Sequence, residues 1–374
     1  MSPIRVGLIG LSGSPPDKYQ GTAWAASAHL PYLLKSDTYA LVALCNTSVA
    51  SAKNAVKLHN LPESTKTYGS AEELAADPDI DLVVSCVRVD KHYTTTVPAL
   101  RAGKAVFVEW PLGANIEEAK ELTAIAKRYN TRNLVGLQGR LSPVVMRLKG
   151  LLDGGRIGKV LSSTYLAAPT NGGATETWSL DYFTNREVGC SILTTGVGHS
   201  LEYIEYLFGP LLNDSFHSLM LNGHPIVDII APDGSIAEKG RKKDVPDQIM
   251  FHSKTSKGIL FSFYQRGGQP FPGTPALEWR IHGETGEIRI TSPIIFLNFG
   301  HVDTKIELYD HKTGMVEVVR EVEDELEDLP MTARNIGRMY ELFAKGEEGI
   351  YDFEHAVGRH RFLEELFRQY DAQA

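Results

Sequence analysis

Near its start the chain reads Ile4-Arg5-Val6-Gly7-Leu8-Ile9-Gly10-Leu11-Ser12-Gly13, a short apolar run that ends in a glycine-bearing turn. A buried strand followed by such a turn is typical of a nucleotide-binding βαβ unit, because glycine lets backbone N–H groups approach a pyrophosphate. The motif departs from G-x-G-x-x-G, since Ser12 stands at the second glycine. Residues 14–20 form an apparent insertion before a helix that we expect to begin at Thr22. Taken alone, the motif also fits a plain glycine turn that binds nothing.

The remainder of the first part alternates short β-rich runs with helical patterns. Such alternation is typical of a parallel sheet whose strands are joined by right-handed helical crossovers. The expected strands are residues 4–9, 40–45, 81–87, 105–109 and 133–137, and the expected helices are residues 72–76, 93–102 and 117–129. We therefore predict an α/β Rossmann dinucleotide-binding domain over residues 1–136, with ligands at the carboxyl ends of its strands.

After Gln138 the sequence becomes mostly strand-like, with glycine-bearing turns. Runs of this kind are typical of antiparallel sheets. Helices are expected over residues 144–152 and 192–208, followed by two amphipathic helices over residues 332–344 and 353–370. These patterns predict an α+β domain over residues 137–374, built on a large, mostly antiparallel open sheet.

Composition and charge argue against several classes of function. The chain has 374 residues, with 38 Lys and Arg against 46 Asp and Glu, a formal net charge of −8 that argues against direct nucleic-acid binding. Cys45, Cys86 and Cys190 lie far apart and the histidines do not cluster, so we expect neither a metal site nor a disulfide framework. No apolar run is long enough to span a membrane. We therefore expect a cytoplasmic protein that does not associate with membranes.

The residues after the second expected strand, Cys45-Asn46-Thr47-Ser48, bear on which dinucleotide would bind. Sites that prefer NAD place an acidic residue there, on the ribose 2′-hydroxyl. This segment has no carboxylate that would repel a 2′-phosphate, and its composition favours NADP. It has no arginine either, so NAD remains the alternative cofactor.

Several motifs resemble one protein family over nearly the whole chain. Gly7-x-x-Gly10, residues 84–92 and 103–112, and Gly196-Val197-Gly198-His199 resemble the glucose–fructose oxidoreductase/inositol dehydrogenase (Gfo/Idh/MocA) family. Further segments resemble a fungal branch of that family, the regulators of galactose genes: Phe107-Val108-Glu109-Trp110, residues 137–143, Val245-Pro246-Asp247, Gly267-Gly268-Gln269-Pro270 and Ile281-His282-Gly283. The resemblance implies a nicotinamide cofactor and, for that branch, binding to a transcriptional activator.

Two positions depart from the pattern of the family's enzymes. The chain has Glu109-Trp110-Pro111 where those enzymes carry Glu-Lys-Pro, whose lysine helps to hold and polarise the substrate, and Thr195 stands at an aspartate position. His199 remains, and an ordinary imidazole pKa of ~6.5 suits proton transfer coupled to hydride transfer. Asp181 or Tyr182 could substitute as the proton donor or acceptor. The alternative interpretation makes His199 a polar helix residue without chemistry, and Trp110 either a packing residue or an aromatic shelf for a ligand.

The resemblance also implies sites. The candidates for cofactor binding lie at the carboxyl edge of the first sheet or just after its strands: Gly10, Leu11, Ser12, Asn46, Ser48, Cys86, Val87, His92, Glu109, Trp110 and Gln138. The candidates for substrate binding are Trp110, Arg140, Trp178, Tyr182 and His199. His92 could equally cap the helix that it opens, and Arg140 could be an exposed surface side chain.

Two hypotheses follow. The first is an NAD(P)-dependent oxidoreductase that transfers a hydride between a nicotinamide cofactor and a small sugar, polyol or carbonyl substrate, with His199, Tyr182 and Asp181 as the catalytic candidates. The second is a non-catalytic NADP-binding transcriptional regulator, cytoplasmic or nuclear, that binds an activator peptide. The resemblance further implies a homodimer or larger oligomer formed through a sheet face of the second domain.

Overall fold

The computed structural model describes residues 2–14, 22–319 and 324–373. The chain divides into two compact units. Unit 1 consists of Met1–Leu137, Glu187–Cys190 and Leu326–Phe362, and unit 2 of Gln138–Arg186, Ser191–Glu325 and Leu363–Ala374. The chain first passes from unit 1 to unit 2 between Leu137 and Gln138, one residue after the domain boundary predicted between residues 136 and 137. Residues 326–362, in contrast, cluster with unit 1, whereas the sequence placed them in a C-terminal domain.

Unit 1 contains a six-stranded sheet in the order β3-β2-β1-β4-β5-β6 with every neighbouring pair parallel, which is the doubly wound Rossmann order. Its strands are β1 (Ile4–Ile9), β2 (Tyr39–Cys45), β3 (Lys66–Tyr68), β4 (Leu82–Ser85), β5 (Ala105–Val108) and β6 (Asn133–Val135). The predicted α/β class is confirmed. The short strand β3 has no counterpart among the predicted strands.

The α-helices, in chain order, are α1 (Leu30–Lys35), α2 (Val49–Leu58), α3 (Ala71–Ala76), α4 (His92–Arg101), α5 (Ile116–Arg128), α6 (Pro143–Asp153), α7 (Gly198–Phe208), α8 (Met331–Lys345) and α9 (Phe353–Asp371). Two of them are preceded by π-helical turns, Ala25–His29 before α1 and Ile192–Val197 before α7. The expected helix start at Thr22 is wrong: the helical turn begins at Ala25, because Ala23 has a φ of 56° in the left-handed region. Apart from Ser14, the insertion over residues 14–20 lies outside the described residues.

Helix α8 belongs to unit 1 because its apolar face is buried among aromatic residues of that unit. The Tyr340 ring stacks on Tyr32 with ring centroids 5.4 Å apart, and the Tyr39 hydroxyl donates to the Tyr340 carbonyl at 2.6 Å. These contacts join residues far apart in sequence, so they were not visible in the local pattern.

Unit 2 contains an eight-stranded sheet in the order β17-β16-β15-β14-β7-β13-β12-β9 and a three-stranded sheet in the order β11-β10-β8. The strands are β7 (Val160–Ala167), β8 (Thr175–Thr177), β9 (His217–Leu221), β10 (Ile226–Ile230), β11 (Ile236–Lys242), β12 (Gln248–Lys254), β13 (Leu260–Arg266), β14 (Leu277–Gly283), β15 (Gly286–Ser292), β16 (Lys305–Asp310) and β17 (Val316–Val319). In the large sheet the β13–β7 pair is parallel and the other neighbouring pairs are antiparallel. The predicted, mostly antiparallel sheet is confirmed.

One face of this large sheet is covered by α7 and the other is open. On the covered face, the Tyr203 ring of α7 lies 5.7 Å from Trp279, and the hydroxyls of Tyr165 and Tyr203 are 2.6 Å apart. The open face carries apolar side chains such as Leu219 and Met250, which are 68% and 49% exposed. Among the described residues, no helix combines the length and the apolar character that crossing a membrane requires.

Candidate functional site

The glycine turn after β1 lies at the carboxyl edge of the unit 1 sheet. Gly10 has a φ of +99°, and a Cβ atom on it would lie 2.3 Å from the Cys86 carbonyl oxygen. Its N–H donates to the Cys45 carbonyl at 3.1 Å. Only glycine fits a backbone position that is this close to the neighbouring strand and lies in the left-handed region. The turn is therefore fixed between the ends of β2 and β4.

Two polar side chains hold the next residues of the turn. Asn46 donates from its amide Nδ2 to the Leu11 carbonyl at 2.7 Å, and His59 Nε2 lies 3.1 Å from the Ser12 carbonyl oxygen. The Ser12 hydroxyl oxygen accepts from the Ser14 N–H at 3.1 Å. The predicted residues Leu11, Ser12 and Asn46 thus form one hydrogen-bonded unit. His59, at the end of α2, was missed because it lies on a helix that the sequence analysis did not predict.

The start of α2 is the part of this edge that bears on dinucleotide choice. Ser48 is the N-cap residue, and its hydroxyl oxygen accepts from the Ser51 N–H at 3.1 Å. The first turn of α2 contains no acidic residue. A helix N-terminus without a carboxylate is compatible with a phosphate group nearby.

The residues after β4 are deeply buried. Burial raises the pKa of the Cys86 thiol well above its ordinary value, so this thiol is not a reactive group. His92 does not cap α4: its Nδ1 lies 2.8 Å from the Pro111 carbonyl oxygen and its Nε2 lies 3.1 Å from that of Val87. Burial lowers the pKa of His92. Its imidazole thus connects the segments that follow β4 and β5.

Glu109, at the end of β5, is held by a buried histidine. His29 Nε2 lies 2.9 Å from Glu109 Oε1, and His29 Nδ1 lies 2.8 Å from the Tyr340 hydroxyl. A carboxylate can only accept, so the His29 Nε2–H donates to Glu109, and the Tyr340 hydroxyl bonds to the other ring nitrogen. A Cβ atom on Gly136 would lie 2.5 Å from the other Glu109 oxygen. The predicted cofactor residue Glu109 is therefore anchored within unit 1.

Trp110, at the family's lysine position, is also packed inside unit 1. Its indole is 5% exposed and lies 4.9 Å from the His360 imidazole, with the two rings tilted by 48°. Burial lowers the pKa of His360 to about 4, and its Nε2 has no hydrogen-bond partner among the described residues. The sequence analysis left Trp110 as either a packing residue or an aromatic shelf for a ligand. The contact with the His360 imidazole is a packing contact.

In unit 2, His199 follows a π-helical turn at the start of α7. The turn, Ile192–Val197, is capped by Ser191, whose hydroxyl oxygen accepts from the Thr194 N–H at 3.2 Å. The His199 side chain is buried, and this burial lowers its pKa to about 3. Asn298 Nδ2 lies 3.5 Å from His199 Nδ1. Asn298 was missed, since nothing in its local sequence indicates such a contact.

Gln265 of β13 holds the π-helical turn. Its Nε2 donates to the Ile192 carbonyl at 2.7 Å. A Cβ atom on Gly196 would lie 2.7 Å from the same nitrogen. Gly196 thus leaves room for the amide that stabilises the turn before His199. Turns with i→i+5 hydrogen bonds are rare and frequently occur at functional sites.

Gln138 and Arg140 lie on the first segment of unit 2. Gln138 is fully buried, and neither polar atom of its side-chain amide has a partner among the described residues. The Arg140 N–H donates to Glu202 Oε1 at 3.1 Å, and its guanidinium lies 5.9 Å from the centre of the Tyr206 ring. Because buried amides almost always find a partner, the orphaned amide of Gln138 is an exception among the described residues.

The remaining predicted residues lie on the short helical segment Trp178–Thr184. Asp181 Oδ2 is 3.5 Å from the Arg241 guanidinium, and the Tyr182 ring packs edge-on against Phe183 at 5.2 Å. Just before this segment, burial raises the pKa of Glu176 to about 7. Within the described ranges, no three His, Cys, Asp or Glu residues come together as a metal site would require.

A doubly wound parallel sheet with a tight glycine turn at its carboxyl edge is the architecture of dinucleotide-binding Rossmann proteins. In this chain it occurs together with a unit built on an open, mostly antiparallel sheet. Residues 4–137 match the model of the oxidoreductase family with an NAD-binding Rossmann fold, and residues 143–292 match the model of the Gal80p C-terminal domain. The chain belongs to this Gfo/Idh/MocA family, and the part that matches the Gal80p C-terminal domain is residues 143–292.

Similar proteins include both dehydrogenases and regulators. The dehydrogenase aclE of Aspergillus oryzae is 30% identical over 79% of this chain and 78% of its own length. The galactose/lactose metabolism regulatory protein GAL80 of Kluyveromyces lactis is 27% identical over 80% of this chain and 66% of its own length. A super-repressor mutant of Gal80p from Saccharomyces cerevisiae shares the fold with a TM-score of 0.86 at 22% identity, covering 100% of this chain and 97% of that one.

Proposed function

We propose that this protein is an NADP(H)-dependent oxidoreductase acting on a small sugar, polyol or carbonyl compound. The observation that carries the proposal is His199: a buried imidazole that Asn298 contacts at 3.5 Å, placed directly after a stabilised π-helical turn. A dehydrogenase with 30% identity over most of the chain supports it. When bound, the cofactor supplies or accepts the hydride, and the protein supplies position and electrostatics.

The residues present fit a nicotinamide dinucleotide. Gly10 forms a turn that no side chain could occupy, and the Asn46 amide beside it holds the Leu11 carbonyl at 2.7 Å. In unit 1 we assign cofactor contacts to the turn over residues 10–12 and to Asn46 and Ser48. Because no carboxylate follows β2 or stands in the first turn of α2, we propose NADP as the preferred cofactor.

The substrate contacts are proposed for unit 2. We assign His199 to the reacting oxygen of the substrate, and Arg140 and Tyr182 are positioned on segments that could orient a polyhydroxylated or carbonyl compound. Asp181 is less suited to proton transfer, because Arg241 lies 3.5 Å from its carboxylate and favours the ionised form.

The experiment is a titration of the purified protein with NADPH and NADH, followed by a turnover screen of sugars, polyols and carbonyl compounds at saturating cofactor. We expect tighter binding of NADPH, turnover of at least one compound, and loss of that turnover in His199→Ala with cofactor binding retained. His217→Ala, which changes an exposed histidine of the same unit, is the matched control. Binding without any turnover would contradict the enzyme proposal.

A second candidate function, a dinucleotide-binding regulator, is favoured by a specific observation. Trp110 occupies the lysine position and packs on His360, and Thr195 stands at the aspartate position, so both charged groups of the family's enzymes are missing. Similarity to the GAL80 regulators supports this candidate. The double variant Trp110→Lys/Thr195→Asp distinguishes the enzyme from the regulator. If the protein is an enzyme, the wild-type chain turns over substrate. If it is a regulator, the wild-type chain binds cofactor without turnover, and turnover appears only in the double variant.

A further inference from the structure

The position of Asn298 determines which nitrogen of His199 carries a proton. Asn298 Nδ2 lies 3.5 Å from His199 Nδ1. An amide NH₂ group can only donate, so Nδ1 accepts and the ring proton of a neutral imidazole sits on Nε2. Both side chains are buried, with His199 8% and Asn298 2% exposed.

Burial keeps this imidazole neutral. The pKa of His199 falls to about 3, so at neutral pH it carries one ring proton and no charge. Asn298 brings no charge to the pair, and Thr195 provides no carboxylate one helical turn earlier. The Phe296 ring, edge-on at 6.4 Å, adds an apolar neighbour. None of these three residues, Asn298, Thr195 and Phe296, carries a negative charge that would stabilise a proton on Nδ1.

We propose that Asn298 is a positioning residue that holds His199 in its Nε2–H tautomer, so that His199 donates a hydrogen bond to a carbonyl oxygen and the protein works as a carbonyl reductase. This inference rests on the proposed function and specifies its substrate class. A base that oxidises an alcohol needs a free lone pair at the nitrogen facing substrate, and Nε2–H has none. A neutral imidazole N–H can instead stabilise the negative charge that develops on a carbonyl oxygen.

The reaction balances without an imidazole proton being lost. A bound reduced dinucleotide would supply the hydride that forms the new C–H bond at the carbonyl carbon, and the electrons of the C=O π bond would move to the oxygen. The oxygen is stabilised by Nε2–H and then takes a proton from water. The carbonyl compound would be reduced at the expense of this hydride donor, and His199 ends the reaction in the protonation state in which it began.

The tautomer can be read directly by long-range ¹H–¹⁵N NMR on protein labelled at histidine, with the His199 signal assigned from its loss in His199→Gln. We expect the wild-type protein, with and without NADPH, to show an unprotonated Nδ1 and a protonated Nε2. Asn298→Asp should reverse the tautomer, because a carboxylate accepts from Nδ1–H, and should raise the pKa of His199. Asn298→Leu should leave His199 as a mixture of its two neutral tautomers. Asn213→Asp adds the same charge at an exposed position and should change neither the tautomer nor the pKa of His199.

Activity gives the second readout. Asn298→Asp and Asn298→Leu should lower kcat for carbonyl reduction by on the order of 10²-fold or more, with NADPH affinity unchanged, because a wrong tautomer removes the donor. A wild-type Nδ1–H tautomer, or variants that leave the tautomer unchanged, would overturn the inference even if turnover is found. Absence of turnover with every compound would overturn the proposed function and the reductase assignment together, whatever the tautomer.

Discussion

His29 and Glu109 form a buried hydrogen bond of 2.9 Å between Nε2 and Oε1 in unit 1. This bond fixes Glu109, the residue before Trp110. The other ring nitrogen of His29, Nδ1, lies 2.8 Å from the Tyr340 hydroxyl of α8. We expect His29→Leu to lower the free energy of unfolding by about 2–4 kcal/mol, because it leaves a buried carboxylate without its donor. Urea unfolding followed by circular dichroism measures the change.

Two further variants test this account. Tyr340→Phe removes one hydroxyl and keeps the aromatic packing, so we expect a cost of only about 1 kcal/mol. The double variant His29→Leu/Glu109→Leu should be more stable than His29→Leu alone, since no carboxylate remains to be satisfied. Equal stabilities of the double and single variants would contradict the assigned role of the pair.

The Gly10 turn gives a prediction about cofactor binding. Gly10→Ala places a Cβ atom 2.3 Å from the Cys86 carbonyl oxygen, so the turn must shift. Since a shifted turn loses several backbone contacts of about 1 kcal/mol each, we expect the Kd for NADPH to rise at least ~10-fold. Gly103→Ala is the control, because Gly103 also has a positive φ of +73° but nothing within 4 Å of the added atom. Similar loss of affinity in both variants would indicate backbone strain alone.

The N-cap of α2 gives a prediction about cofactor choice. Ser48→Asp keeps a capping oxygen and adds a carboxylate, which should repel a 2′-phosphate and accept from a 2′-hydroxyl. We expect the preference for NADPH over NADH to fall ~10-fold or more in fluorescence titrations. Ser70→Asp makes the same change at the N-cap of α3, where Ser70 accepts from the Glu73 N–H, and should leave the preference unchanged.

His360 gives a prediction about pH. Burial, together with the nearby His92, lowers the folded-state pKa of His360 to about 4, below the ~6.5 of an unperturbed histidine. The unfolded chain therefore binds a proton first as the pH falls, and stability is lost between those two values. We expect His360→Phe to remove up to about 3 kcal/mol of this acid destabilisation near pH 4 while leaving stability near pH 8 little changed. His217→Gln, which changes an exposed histidine of β9, should retain the wild-type pH dependence.

The open face of the large sheet gives a prediction about assembly. Met250 pairs in register with Leu219 on one side and Tyr264 on the other, and Tyr264 pairs with Leu166, so these side chains form a row on the exposed face. We expect the protein to be a homodimer through this face and Met250→Lys to shift it to monomer in light scattering. Met146→Lys makes the same change at an exposed methionine of α6 and should remain dimeric. A monomeric wild-type protein would contradict the expectation.

The sequence predicted most strands of unit 1 well because they consist mainly of apolar residues. Strand β1 has the bounds that the pattern predicts, and β4 and β5 lie inside the predicted runs. Strand β3 was missed because it has only three residues and none is fully buried. Helix α2 was missed because its buried positions are the small residues Ala52 and Ala55, which give a weak apolar signal.

The candidate site was only partly accessible to sequence reasoning. Gly10 and His199 stand out from local motifs, whereas their supports come from distant segments. His29 and Tyr340 are separated by 311 positions, and Asn298 and His199 by 99. Such pairs are created by strand order and helix packing, which a single sequence does not specify locally.

Because a π-helical turn over Ile192–Val197 precedes His199, the direction in which the His199 side chain points depends on the number of residues in that turn. Each residue advances an α-helix by about 100° around its axis, so removing one residue from the turn would restore the regular pitch and swing every later side chain of α7 by about that angle. Substitutions can change what His199 is, but a single-residue deletion at Gly196 would change where it faces. Related chains that differ by one residue here would therefore carry the same histidine with a different geometry.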